Sequence, residues 1–285
     1  VEQQLPKIPP HIDWLKPTGE VLKTTDGTII ELWELRHTKD DHILSQWATH
    51  FRSHYCSDDL IDALRGVRSR TDYLTNIKFP SLTGGLGPSI RAGDFAEILV
   101  ADFLQWVRGY TVPRVRWNCK VVRDESSKGS DVIGFYFETS GAMSSKDTLA
   151  VFESKTGFSA TSANRLQDAI DHSAKDHLRI DESLNYIKQR LLEGGQPQKA
   201  QEIERFQNPV DAPYKEVHGA AALYSNDVLD LTVVSAANTM TVPAKTKGGQ
   251  LGAHPKRDHL VLILIKGEEM MALVHELYRR AADEA

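Results

Sequence analysis

Residues 148–155 read Thr-Leu-Ala-Val-Phe-Glu-Ser-Lys, an apolar run that closes on a carboxylate and an ammonium two positions apart. Side chains of a strand alternate between its faces, so Glu153 and Lys155 share one face with Leu149 and Val151, and Phe152 and Ser154 take the other. Strand interiors seldom hold a Glu and a Lys side by side on an apolar face. The pair therefore marks a strand end with a chemical task, and cleavage of a phosphodiester supplies one.

Two further segments bring carboxylates to the places such a task needs them. Gly93-Asp94-Phe95-Ala96-Glu97 opens a helix expected near 92–108, with Phe95, Ile98, Leu99, Phe103 and Trp106 as its apolar positions. Gly129-Ser130-Asp131 is a turn that leads directly into a strand expected over 131–138. A Mg²⁺ ion takes oxygen ligands in octahedral geometry, usually one or two carboxylates completed by water and phosphate, and Mn²⁺ suits the same donors. Asp131 and Glu153, on neighbouring strands, can supply them. Lys155 then orients or helps deprotonate the attacking water, or stabilises charge developing on the phosphate. Glu97 reaches in from the helix to bind a second ion, or the water shell of the first.

The segments GDFAEILVADFL, GSDVIGFYF and LAVFESKTGF resemble the nuclease subunit of the Hachiman antiphage defence system, a HamA-like branch of the PD-(D/E)xK superfamily. WATHFRSHYCSDDLIDALRG followed by SRTDYL is similar to it as well, so the resemblance covers about residues 35 to 275 and is strongest over 90–158. It implies a metal-dependent deoxyribonuclease that acts on DNA beside a superfamily 2 helicase. Asp131, Glu153 and Lys155 match that family's catalytic motif, and Glu97 matches the helix acid of the wider superfamily. Ser130 stands where the superfamily's name has proline.

The remaining sequence frames these segments. Asp26-Gly27 signals a turn between two short β-like runs in 21–37, which predicts a hairpin. Ile43, Leu44, Trp47, Ala48 and Phe51 recur at helical spacing, and Leu60, Ile61 and Leu64 continue it after a break at Ser57-Asp58. Pro80, Gly84, Gly85, Gly87 and Pro88 make residues 80–90 a loop and the expected domain boundary. Strands are expected at 112–122, 148–155, 217–224, 229–235 and 259–266, helices over 162–193 and 268–283. From residue 90 the order reads α-β-β-β-α-β with additions. The expectation is an α/β, restriction-endonuclease-like αβββαβ core over 85–285, behind a mixed helical and hairpin N-terminal region, 1–84, for regulation or partner docking.

Composition removes other classes. No window approaches a membrane span, and residues 1–10 hold three prolines but no apolar signal segment. Cys56 and Cys119, the two cysteines, form no CxxC pair, which argues against a zinc or disulfide scaffold and suits the cytoplasm. No phosphate-binding loop of the GxxxxGK[ST] type is present, so the chain is not expected to hydrolyse ATP. A net charge of -5 disfavours unaided encounter with DNA.

Several cations admit two readings. Arg65, Arg68 and Arg70 fit a solvated helix end better than a phosphate grip. Arg114, Arg116 and Lys120 alternate along the expected strand 112–122, as either an exposed face or a DNA contact. Lys245, Lys247, Lys256 and Arg257 sit in a polar loop, 243–258. His172, Lys175 and Asp176 read as surface residues, His54 near Cys56 lacks further zinc ligands, and Trp47, Phe51 and Tyr55 form a helix core stripe. Two rival functions stay open: a stand-alone restriction or repair nuclease, which needs base-reading elements that are not evident, and a catalytically silent nucleic-acid-binding adaptor, which intact Asp131, Glu153 and Lys155 argue against.

Overall fold

The computed structural model describes residues 7–126, 129–139, 141–159, 163–243 and 251–285. The chain opens with the hairpin β1 (Leu15–Lys23) and β2 (Ile29–Leu35), followed by α1 (Asp41–Tyr55), α2 (Asp58–Leu64), α3 (Arg70–Tyr73) and α4 (Gly87–Asp102). Then come β3 (Val132–Tyr136), β4 (Thr148–Gly157), α5 (Arg165–Asp176), α6 (Ile180–Glu193), α7 (Pro197–Glu204) and β5 (Lys215–Ser225). A short α8 (Leu231–Ser235) and a two-residue pair, β6 (Val242–Pro243) with β7 (Leu251–Gly252), precede β8 (Leu260–Gly267) and α9 (Met270–Asp283).

Six of these strands form one mixed sheet in the order β1-β2-β8-β5-β4-β3. The three central pairings, β2/β8, β8/β5 and β5/β4, are parallel, and the two outer ones are antiparallel. Alternation decides which layer each face meets. Ala150 and Phe152 of β4, with Ile263 and Ile265 of β8, pack under α1, α4 and α9. Leu149 and Val151 face α6 and α7, while Ala220, Ala222 and Leu262 meet α5. The aromatic stripe Trp47, Phe51 and Tyr55 is fully buried, as its helical spacing predicts. Phe152 lies opposite Gly219 in the parallel register, where a Cβ would come 2.1 Å from the ring, so the close approach requires glycine.

Local chemistry sets several boundaries. Asp40 caps α1 by accepting from the Ile43 amide at 3.1 Å, and Asn164 caps α5 from the Leu166 and Gln167 amides at 3.1 and 3.2 Å. Gly27, at φ 84°, makes the hairpin turn, while Asp26 accepts from the hydroxyls of Thr24 and Thr28. The hairpin extends the main sheet, since Ile30–Leu35 pair with Leu262–Gly267.

Two expected strands are absent. Residues 229–235 carry α8 instead, because the Asp230 side chain accepts from the Thr232 amide and starts a helix. Residues 112–122 are irregular, and among the described residues the nearest backbone pairing to the sheet is the bridge Thr111–Phe135, just before them. Pro113 lacks a ladder donor, and the cations that follow turn inward to buried carboxylates. With that strand missing, the described segment after α4 reads β-β-α-α-α-β. Lys245 and Lys247 lie outside the described residues. Lys256 pairs with Glu216, and Arg257 lies 3.4 Å from Asp26, so both serve the fold.

His254 is 2% exposed, its Nδ1 accepting from the Lys256 amide at 3.1 Å. Burial lowers it to about 4, and the neighbouring His218 and His177 push the same way. A pKa depressed on folding contributes stability that is present above the unfolded value, near 6.5, and lost as pH falls toward the folded one. The stability advantage of the wild type over His254→Gln should therefore shrink between pH 7 and pH 4.5, by on the order of 2 kcal/mol. Urea melts of both proteins at each pH check this, and a gap independent of pH contradicts it.

Candidate active site

β3 and β4 pair antiparallel with Val132 opposite Phe152, so extending the register by one residue sets Asp131 opposite Glu153. Both carboxylates, with Lys155, lie on the face that carries Ile133, Leu149 and Val151 toward α6 and α7. They line a cleft of about 940 Å³, closed by Glu97 from α4 and by His172 and Asp176 from α5. All four residues expected to carry chemistry thus meet in one cavity.

The carboxylates are held by specific partners. Asp131 Oδ2 accepts from the Ser154 amide at 3.0 Å, and Glu153 pairs with Lys155 and lies 3.3 Å from His172 Nδ1. Glu97 is 5% exposed and accepts from the Trp117 indole at 3.1 Å. Arg116 stands between the strands and the helix. Its Nε is 2.9 Å from Glu97 Oε2, its Nη2 is 3.0 Å from Asp131 Oδ1, and its Nη1 donates to the Ser130 carbonyl at 2.7 Å.

Crowding of acids in low dielectric sets their proton affinities. Burial raises Glu97 to about 8 against the pull of Arg116, and the charges of Asp131 and Asp94 add to the rise. Asp131 is raised to about 6 by burial and by Glu153. For Glu153, burial pushes upward, but the hydrogen bonds from His172 and Lys155 outweigh it and hold the carboxyl below its usual range. Asp176, 4% exposed and with Oδ2 lacking any partner among the described residues, is raised to about 8 by burial and by the charges of Glu153 and Asp131. It is a buried wall of the cleft, not the surface residue its sequence suggests. His172, half exposed, touches Glu153. The signal for both is their i, i+4 spacing on α5, which gives them one face.

The cations of 112–122 form neither a surface strand nor an open patch. Lys120 bonds Asp94, Arg116 meets Glu97, and Arg114 donates to Asp102 at 2.6 Å. Acids ascending along α4 meet cations descending along the returning segment, a pattern readable once the two are set antiparallel. Arg65 and Arg70 instead pair with Asp62, and Arg68 with Asp72, in exposed contacts.

The profile of the HamA family matches residues 9–281. The chain belongs to the HamA family. Membership places it with the Hachiman antiphage defence system, and the match takes in both the N-terminal hairpin and the cleft. No curated protein matches the chain. Among the described residues of this HamA chain, no helix is long and apolar enough to cross a membrane.

Among the described residues, one His/Cys/Asp/Glu trio has its ligand atoms all within 4.8 Å: His11, His50 and Asp102. Arg114 already meets the Asp102 charge, and His11 and His50 lie 3.0 and 2.9 Å from its two oxygens. The trio ties the 3₁₀ turn Pro10–Trp14 to α1 and α4. Glu97, Asp131 and Glu153 are not drawn that close together. Their all-oxygen donor set nevertheless suits Mg²⁺ or Mn²⁺, which needs only one or two carboxylates besides water.

Proposed function

We propose that this HamA protein is a metal-dependent deoxyribonuclease with a restriction-endonuclease-like core, working with a superfamily 2 helicase. The observation that carries the reading is the register that sets Asp131 opposite Glu153, with Lys155 on the same face of the cleft. Asp131 and Glu153 would hold Mg²⁺ or Mn²⁺, with Glu97 as the further acid, and the ion would polarise a phosphate and lower the pKa of an attacking water. Ser154 and His172 fix the orientation of the two carboxylates, as outer contacts do around metal ligands. Lys155 supplies a charged donor for the phosphate oxygens. Lys175 and Arg179, also on the cleft wall, suit contacts to the nucleic-acid backbone. The net charge of -5 weakens long-range attraction to DNA, which supports delivery by a partner.

The ion itself gives a direct test. Plasmid incubated with the purified protein, alone and with the neighbouring helicase, should be cut with Mg²⁺ or Mn²⁺ and spared with Ca²⁺ or EDTA. Ca²⁺ binds oxygen in a larger, looser shell that positions water less well. Full cleavage in EDTA would sink the metal-dependent reading, and failure of the two proteins to co-purify would remove the helicase.

A further inference from the structure

The cleft holds a resident cation of its own. Arg116 spans Glu97 and Asp131, the helix acid and the strand acid, and reaches both at ion-pair distance. Its guanidinium also donates to the Ser130 carbonyl and, at 3.4 Å, to that of Gly129, in the turn that introduces Asp131. Glu97, Asp131 and Glu153 fail to bring three ligand atoms within 4.8 Å of one another while a planar five-donor group fills the space between two of them.

Two features bear on how firmly this arrangement is fixed. Among the described residues, the segment that carries Arg116 has no strand pairing, and the nearest bridge to the sheet lies five residues back at Thr111. Withdrawal of the side chain therefore breaks no ladder. Charge supplies the second. A dication entering between Glu97 and Asp131 would meet the like charge of the Arg116 guanidinium, which sits on the same two carboxylates. Release of that guanidinium removes the repulsion.

We infer that Arg116 is a built-in occupant of the cation site: it holds Glu97 and Asp131 in the metal-free protein and is displaced when a divalent ion binds. This rests on the metal-dependent reading above. Arg116 keeps the buried acids paired while no ion is present, and it sets an affinity threshold that an ion must exceed. The site's metal demand is thereby tuned by a residue that need not be a ligand.

Mn²⁺ titrations by calorimetry, without DNA, test this on wild type, Arg116→Met and Arg116→Lys. Arg116→Met should bind Mn²⁺ roughly tenfold tighter or more, since no ion pair has to be broken first. It should also melt lower than wild type in EDTA and regain most of that loss with Mn²⁺, because the ion replaces the missing charge. Equal or weaker binding by Arg116→Met, with wild type binding normally, overturns the displacement. Absence of binding by all three proteins overturns the metal-dependent reading beneath it. Should Arg116→Met not fold, the wild-type Arg116 Nε–H signal in NMR decides. Exposure to solvent exchange on saturation with Ca²⁺ supports displacement, and an unchanged signal with Ca²⁺ bound refutes it.

Discussion

Plasmid DNA exposed to Glu153→Gln or Lys155→Met protein in Mg²⁺ should remain intact, with cleavage down by at least about 100-fold, the scale expected when a group that stabilises developing charge is removed. Glu153 is one of two carboxylates opposed across β3 and β4, and its neighbours Lys155 and His172 are both directed at it. Replacing it with the isosteric amide removes the charge and keeps the shape. The substitution relieves repulsion with Asp131 and Asp176, whose pKa values Glu153 raises, and gives up the contacts from Lys155 and His172 that hold its own pKa down. The two effects oppose each other, so the melting temperature should change little. That split, activity lost with the melting temperature kept, separates a functional carboxylate from a structural one. Undiminished cleavage by both folded variants would remove these residues from the proposed chemistry.

The largest loss of stability is expected at Asp102. Its carboxylate is fully buried at the end of α4 and meets Arg114, His50 and His11 within 3.0 Å. Burial alone would raise its pKa, yet Arg114, His50 and the His11 hydrogen bond hold it well below the usual carboxylate range. Asp102→Ala leaves a largely buried guanidinium with no countercharge, a change that costs about 3–5 kcal/mol in comparable buried pairs. Asp102→Asn keeps an acceptor oxygen and should lose less. Urea denaturation of the three proteins at pH 7 measures the order, and a loss below about 1 kcal/mol for the alanine variant would contradict the argument.

Much of the site was legible because its signals are local. Period-two alternation fixed the shared face of Glu153 and Lys155, and one turn, Gly129-Ser130-Asp131, announced its strand. The helix acid Glu97 stood within an apolar repeat that named its own element. Arg116 and Asp176 were harder for one physical reason. A cation alternating along 112–122 looks like the outer face of a strand until its buried partners on α4 are known, and those partners are remote in sequence. Asp176 ends an amphipathic helix, where acids are ordinarily solvated, and only the cleft against β4 buries it. The absent strand at 112–122 has the same origin, since ion pairs to Asp94, Glu97 and Asp102 replaced ladder hydrogen bonds.

The place of β8 in the sheet has a consequence for how the chain reaches its native state. Residues 260–267 lie between β2 and β5, so the hairpin at 15–35 and the cleft-bearing strands at 132–225 have no sheet contact with each other until β8 arrives. Ile30 waits for Leu262 across more than two hundred residues, a pairing whose loop-closure entropy slows assembly. During synthesis, both β2 and the alanine-rich β5 present unpaired edges, of the kind that invites association with other chains. Completion of the fold thus awaits translation of a single late segment, and a chain truncated before residue 260 would leave its sheet in two halves.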